Sequence, residues 1–294
     1  MYNNLGKEIE KKRKEKKMTQ KELSNNICTQ PTISMIERGE ITPSLEILAK
    51  ISKKLDLKLE YFTDFLIYKN PVYIRKFTQK IDNLTVNQNY NTALKLIETE
   101  LNNNTLTDFE PIFKAYLMWV KVLCLYNMGK KDIHKTINEI KNILELIKNF
   151  PNSNFLSIRI YNSIALLYSI NKDFSKALFY YNKIDFIQTL EDTSRLNNEV
   201  YILRILYNKI KTLYDMGNYN ESIDCCNIGI QKSIELENMS SLGNFFYYLG
   251  QNYEKMQYPH EDISKCYHNS LFIFGILNRE NYISAIKSNK KTFL

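Results

Sequence analysis

One short pattern recurs along this chain and limits what it can fold into. Gln88-Asn89-Tyr90-Asn91-Thr92-Ala93, Lys172-Asp173-Phe174-Ser175-Lys176-Ala177 and Gly217-Asn218-Tyr219-Asn220-Glu221-Ser222 each place a turn before an aromatic, with a small residue three positions after that aromatic. Residues 129–132 and 257–263 are weaker copies. Anchors at Ala93, His134, Ala177, Ser222 and Ile263 are spaced by 41, 43, 45 and 41 residues. A turn repeated at this period, between amphipathic stretches without the two-residue alternation of strands, predicts stacked pairs of helices.

The pattern resembles tetratricopeptide repeats, in which the aromatic and the small residue let two antiparallel helices pack closely. The period exceeds the usual ~34 residues, so longer helices are expected. A second regularity lies in the first helix of each pair. Tyr161-Asn162 precedes Tyr168 by the spacing at which Tyr207-Asn208 precedes Tyr214, and Trp119 with Tyr126 and Phe246 with Tyr253 keep the aromatic spacing without the Asn. Seven residues make about two helical turns, so the paired aromatics share a face. First helices of stacked repeats line a concave surface, where Asn162 and Asn208 are expected to stand in a row. A carboxamide donates and accepts at once, so each can pair with one peptide bond of an extended ligand.

The N-terminal segment reads differently. Leu5, Ile9 and Arg13 share one face of a helix expected over residues 5–16. Thr19 and Glu22 have capping-box spacing, and Leu23 and Ser24 face inward on the short helix that follows. Asn25 and Asn26 suit its end, since Asn tolerates the left-handed conformation. Thr29 caps a third helix over residues 30–38, opened by Gln30-Pro31, with Ile33 and Ile36 inward and Gly39 stopping it. Thr42-Pro43-Ser44 begins a fourth, whose buried side is expected to hold Leu45, Leu48, Ile51 and Leu55. Lys11, Lys12, Arg13, Lys14, Lys16 and Lys17 concentrate the positive charge of a chain whose net charge is +8. That concentration suits phosphate, although a charge run on a helix is usually a solvated face. Glu37 fits an ion pair within the domain or a cap.

Thr19-Gln20, Leu23-Ser24, Ile33-Ser34, Ile36-Glu37, Gly39 and Pro43-Ser44 together resemble the phage-repressor-like, XRE-type helix-turn-helix family. The turn Asn26-Ile27-Cys28-Thr29-Gln30 is one residue shorter than is common there and lacks glycine. In this the chain is similar to the PlcR-type peptide-responsive activators of Gram-positive bacteria. The resemblance implies that Gln20 bonds a phosphate, and that Gln30, Thr32, Ser34 and Met35 face bases or sugar-phosphate; Arg38 fits either a further DNA contact or an ion pair or cap within the domain. It also implies peptide contacts at Leu66, Asn162, Asn208 and Tyr282, and Glu280-Asn281-Tyr282-Ile283-Ser284-Ala285 matches that family's final helix. Gln88 and Tyr248 occupy peptide-facing positions with changed residue types, as do Thr63 and Val86, which implies a different peptide.

Other classes find little support. Five scattered cysteines without CxxC pairs argue against a disulfide framework or a zinc site and read as buried small hydrophobes. No cofactor is expected. Phosphate-cradling loops, HExxH and nucleophile elbows are missing, so the chain does not read as an enzyme. Neither a signal peptide nor an apolar run of ~18 residues is evident, which predicts a cytoplasmic protein without a membrane partner.

The expected architecture is all-α. A five-helix phage-repressor-like helix-turn-helix domain occupies residues 1–64, a linker helix residues 65–80, and a right-handed superhelix of about five tetratricopeptide-like pairs residues 81–294. The expected function is a homodimeric quorum-sensing regulator, an activator, that binds double-stranded DNA at a palindromic operator and a short signalling peptide. A ligand-independent phage-like repressor and a repeat-based protein adaptor are the alternatives.

Overall fold

The computed structural model describes residues 3–68, 70–102, 110–150, 154–184 and 198–294, and the described residues form helices without a strand. They divide into two compact units, Met1–Asp132 and Ile133–Leu294.

The first unit opens with α1 (Asn3–Glu15), α2 (Gln20–Ser24), α3 (Gln30–Glu37), α4 (Leu45–Lys54) and α5 (Leu59–Ile67). Local chemistry sets most of their ends. Thr19 and Glu22 form the reciprocal capping box of α2, with Glu22 N donating to Thr19 Oγ1 at 3.1 Å and Thr19 N to Glu22 Oε2 at 2.6 Å. Asn26 takes a φ of +62° in the turn after α2, and Gly39 takes +72° after α3. Leu5, Ile9, Leu23, Ile33, Ile36 and Phe62 meet in one fully buried core. Each such side chain contributes about 1.5–3 kcal/mol relative to exposure. Gly6 lets α1 approach the end of α3: a Cβ there would lie 2.1 Å from the Ile36 carbonyl oxygen.

Two expectations fail here. Leu45 is 67% exposed rather than buried. The inward row of α4 is Leu48, Ile51, Ser52 and Leu55, at steps of three and four residues, and Leu45 in the first turn falls at its edge. The single linker helix over residues 65–80 is also corrected. α5 ends at Ile67, and α6 (Pro71–Val86) begins afresh, with the Asn70 side chain accepting from Tyr73 N at 3.2 Å. Proline lacks an amide and disfavours helical backbone in the residue before it, so no helix runs through this point. Arg75 braces the corner, donating to Asp64 at 2.9 Å. The unit closes with α7 (Tyr90–Asn102) and α8 (Pro111–Asn127).

The second unit contains α9 (Ile133–Ile147), α10 (Asn154–Ile170), α11 (Phe174–Tyr181), α12 (Asn198–Met216), α13 (Tyr219–Glu235), α14 (Leu242–Lys255), α15 (His260–Ile276) and α16 (Glu280–Asn289), with a final 3-10 turn at Lys291–Phe293. The recurring turns close alike in both units. Gln88, Gly129, Lys172, Gly217 and Gln257 each have positive φ. The next residue's amide reaches back five positions in every case, as in Asp173 to Tyr168 at 2.9 Å and Asn218 to Leu213 at 2.9 Å. Three positions into each following helix sits a buried residue: Ala93, Thr136, Ala177, Ser222 and Ile263. In the second pair this is Thr136, not His134, which is exposed. Lys131 and Asp132 lengthen that turn and start α9 later.

Cys124, Cys225, Cys226 and Cys266 are buried free thiols, and Cys28 is half-buried. No helix among the described residues is long and apolar enough to cross a membrane.

Candidate functional site

The exposed side of α3 presents Gln30, Ser34 and Arg38 at four-residue spacing; Gln30 and Arg38 are exposed, and Thr32, Ser34 and Met35 are half-buried. Thr29 caps the helix, its hydroxyl accepting from Thr32 N at 3.3 Å. Arg38 pairs with Glu40 at 3.0 Å. Beneath this surface runs a continuous polar chain. Arg13 on α1 grips Glu37 through two hydrogen bonds of 2.6 and 2.8 Å, and a third ties it to the Met18 carbonyl at 2.7 Å. Glu37 also accepts from Gln20 Nε2 at 2.9 Å, and Gln20 Oε1 accepts from Gln30 Nε2 at 2.7 Å. A buried, bidentate ion pair is directional, so it fixes Gln20, which in turn fixes Gln30. Glu37 is therefore the ion-pair residue that its position implied, and it also orients two of the six candidate DNA contacts.

The basic run of α1 is not one uniform face. Arg13 points into the domain, while Lys12 pairs with Glu15, Lys14 with Glu10 and Lys16 with Asp56. These exposed pairs add little stability.

The candidate peptide residues fall in both units. Leu66 packs half-buried against the core of the first five helices. Gln88 is the exposed left-handed residue of the α6–α7 turn. The other four lie in the second unit. Asn208 Nδ2 donates to Asn162 Oδ1 at 3.1 Å, so α12 and α10 bring the two asparagines into direct contact. Tyr248 on α14 receives Tyr207 and Tyr214 edge-on, with ring centroids 5.7 and 5.6 Å away. Tyr282 on α16 is 47% exposed and stacks on Phe274 at 4.8 Å. Burial pushes the Tyr207, Tyr214 and Tyr248 phenols up, so they remain neutral and able to donate at ordinary pH.

The expected row of matched asparagines is modified by register. Tyr168 lies five residues before Asp173, the cap of α11, whereas Tyr214 lies four before Asn218, the cap of α13. One residue rotates a helix face by about 100°. Tyr161 and Tyr168 accordingly both pack on Tyr180 of α11, while Tyr207 and Tyr214 both pack on Tyr248 of α14. Each seven-residue pair does share a face, but α10 turns it to α11, whereas α12 turns it to α14 and also, through Tyr214 against Tyr219 at 5.6 Å, to α13. That offset lets the asparagines meet each other instead of standing apart.

Sequence reasoning missed Gln251. Its side chain accepts from Tyr214 at 3.0 Å and from Lys290 at 3.4 Å, and donates to Tyr247 at 2.5 Å. Lys290 also pairs with Glu254 at 2.7 Å. Spacing marks only its contact with Tyr247, four residues earlier on α14; Tyr214 on α12 and Lys290 just after α16 are brought to it by packing.

Residues 78–294 match the model of the RNPP family C-terminal domain, and residues 9–62 match a helix-turn-helix model. The chain belongs to the RNPP family, with the fold of its PlcR-type peptide-responsive transcription regulators. Among solved structures it is similar to Bacillus thuringiensis PlcR in complex with the peptide PapR7 and DNA. The identity is 29% and the TM-score 0.81, covering 97% of this chain and 99% of that one. The apo form of the same protein matches at 26% identity and TM-score 0.67, over 98% and 99% of the two chains. The Streptococcus dysgalactiae pheromone receptor Rgg2 shares the fold at 14% identity and TM-score 0.66, over 99% and 100%. A search of curated protein sequences returns no match.

Proposed function

We propose that this protein is a quorum-sensing transcription activator that reads a palindromic operator with the α3 helices of two paired heads and binds a short signalling peptide along the first helices of its repeats. The observation that carries the reading is the chain Arg13–Glu37–Gln20–Gln30, which holds the opening residue of α3 in a set pose above a buried ion pair. Gln30 suits paired hydrogen bonds to adenine, and Thr32 can offer a methyl group to thymine. Gln20 sits where a phosphate bond would set register, and Ser34, Met35 and Arg38 extend the contact surface. PlcR, the similar protein above, was crystallised with both a peptide and DNA.

Residues 1–64 then read DNA and residues 81–294 sense the peptide and dimerise, with Asn162, Asn208, Tyr248 and Tyr282 at the peptide. The α5–α6 corner, braced by Arg75–Asp64, is the coupling element. A peptide moves the heads only by binding one arrangement better than the other.

The test is duplex titration across a salt series, with light scattering of the free and bound protein. Affinity should fall steeply with salt, and a dimer should cover half-sites about 34–36 Å apart or a multiple of that. Salt-insensitive binding, or a strict monomer on DNA, would refute the reading. Full operator binding and full target-gene output without any peptide would identify a ligand-independent repressor or activator instead.

A further inference from the structure

The seam between α10 and α12 is bridged by two carboxamides, those of Asn208 and Asn162. The next seam, between the first helices α12 and α14, is bridged by a third. Tyr214 of α12 donates its hydroxyl to Gln251 Oε1 of α14 at 3.0 Å, and Gln251 Nε2 donates to the Tyr247 hydroxyl one turn back at 2.5 Å.

The orientation of that carboxamide follows from its third partner. Lys290 Nζ lies 3.4 Å from Gln251 Oε1, and an ammonium can only donate, so the oxygen must face it. Lys290 is itself held in place. Its side chain is 11% exposed, pairs with Glu254 at 2.7 Å and lies over the Tyr267 ring, 5.2 Å from the centroid. A fixed carboxamide gives its two phenol partners opposite polarity. Tyr214 meets the oxygen and gives its only proton to it, which leaves the Tyr214 oxygen as an acceptor. Tyr247 meets the N–H and accepts, which leaves its only proton without an acceptor among the described residues. Both phenols are half-buried, and both rings meet Tyr248 edge-on, at 5.6 Å.

We propose that Tyr214 and Tyr247 form a second backbone-reading pair, at the α12–α14 seam, and that Gln251 is the positioning residue that sets their polarity. Tyr247 donates to a carbonyl of the bound peptide, and Tyr214 accepts from an N–H. An extended residue presents its own N–H and carbonyl on the same side of the chain, so one residue suits both phenols. This rests on the peptide-binding reading above and deepens it: the asparagines hold backbone at one seam, and the phenols hold it at the next.

The full-length protein is incubated with a synthetic heptapeptide library, and retained peptides are identified by mass spectrometry. The most strongly retained peptide is titrated by calorimetry into variants, with melting curves alongside. Gln251→Glu keeps the shape, and Lys290 can hold the added charge, but a carboxylate only accepts, so Tyr247 must turn its proton to it. Affinity should fall roughly tenfold or more, as it should in Tyr247→Phe, and the double variant should lose little beyond either single one. An ester scan of the peptide, each backbone amide replaced in turn, gives a readout that packing alone does not move. One ester should weaken binding to wild type roughly tenfold, and that penalty should vanish in Tyr214→Phe. Wild-type affinity in Gln251→Glu or Tyr247→Phe, or ester penalties that all survive Tyr214→Phe, would overturn the phenol pair and leave the peptide-binding reading standing. If Gln251→Glu melts early, Tyr247→Phe and the ester scan decide. If wild type retains no peptide, both fall.

Discussion

Asn208 donates its side-chain amide to the carboxamide oxygen of Asn162, 3.1 Å away, across the seam between α10 and α12. That bond uses one donor and one acceptor. The Asn162 amide and the Asn208 oxygen are left as a complementary pair, matched to one peptide unit laid across the seam. The two residues should therefore act as one site. Asn162→Ala or Asn208→Ala should each weaken peptide binding by roughly 1–3 kcal/mol, about tenfold or more, and the double variant should lose little beyond either single one. Melting should shift little, because the contact is half-buried and a neutral hydrogen bond contributes about 1 kcal/mol net. Calorimetric titration of a library-selected peptide into the three variants, with melting curves alongside, checks this. Early melting of both single variants would make the asparagines structural.

Glu37 is the member of the head network whose loss should be felt twice. Glu37→Ala leaves the Arg13 guanidinium, with 9% of its side chain exposed, without its carboxylate. Stranding a buried charge costs about 3–5 kcal/mol. Denaturant unfolding should show that loss. At temperatures where the variant is folded, DNA affinity should still be low, because Gln20 and Gln30 have lost their anchor. Glu37→Gln keeps the shape and should lose less stability. Wild-type DNA affinity in a folded Glu37→Ala protein would separate the network from recognition.

Gly6 sits inside α1, where Ala would ordinarily add about 1 kcal/mol of helix stability. Here the sign should reverse. The added methyl would fall 2.1 Å from Ile36 O and 2.7 Å from Glu37 O, both backbone atoms that side-chain motion cannot clear. Gly6→Ala should destabilise by about 1–3 kcal/mol, as overpacking does. A denaturation midpoint equal to or above that of wild type would contradict the close approach of α1 to α3.

The thiols should differ in reactivity. Burial pushes Cys124 and Cys266 up to about 11, and raises Cys225, Cys226 and the half-buried Cys28 as well. Since the thiolate is the nucleophile, a raised value means less reactive species at pH 8, with the fraction growing only as pH climbs toward the shifted value. Native protein at pH 8 should give one slowly reacting thiol with Ellman's reagent, and Cys28→Ser should remove it. Denaturant should then release the other four. Rapid reaction of several thiols in the native protein would argue against the buried positions.

Much of this protein is local in its chemistry and was legible for that reason. Thr19 with Glu22, Asn26, Gly39 and the paired turn and small residues at Ala93, Ala177 and Ser222 act over three or four positions, so spacing alone identifies them. The break at Asn70-Pro71 was equally local, and a linker helix drawn through it ignored the proline. What spacing cannot carry is the direction in which a helix face points after the chain has turned. The Tyr-Asn-Tyr pattern repeats faithfully, yet one residue of slip against the caps rotates its second copy by about 100°, so that it reaches α14 as well as the helix that follows it. The same holds for Arg13 and Glu37, 24 residues apart, and for Asn162 and Asn208, 46 apart. The sequence determined which segments are helices and which residues they hold. Tertiary packing decided which of those residues touch, because contacts between helices depend on rotation and register that accumulate over whole elements.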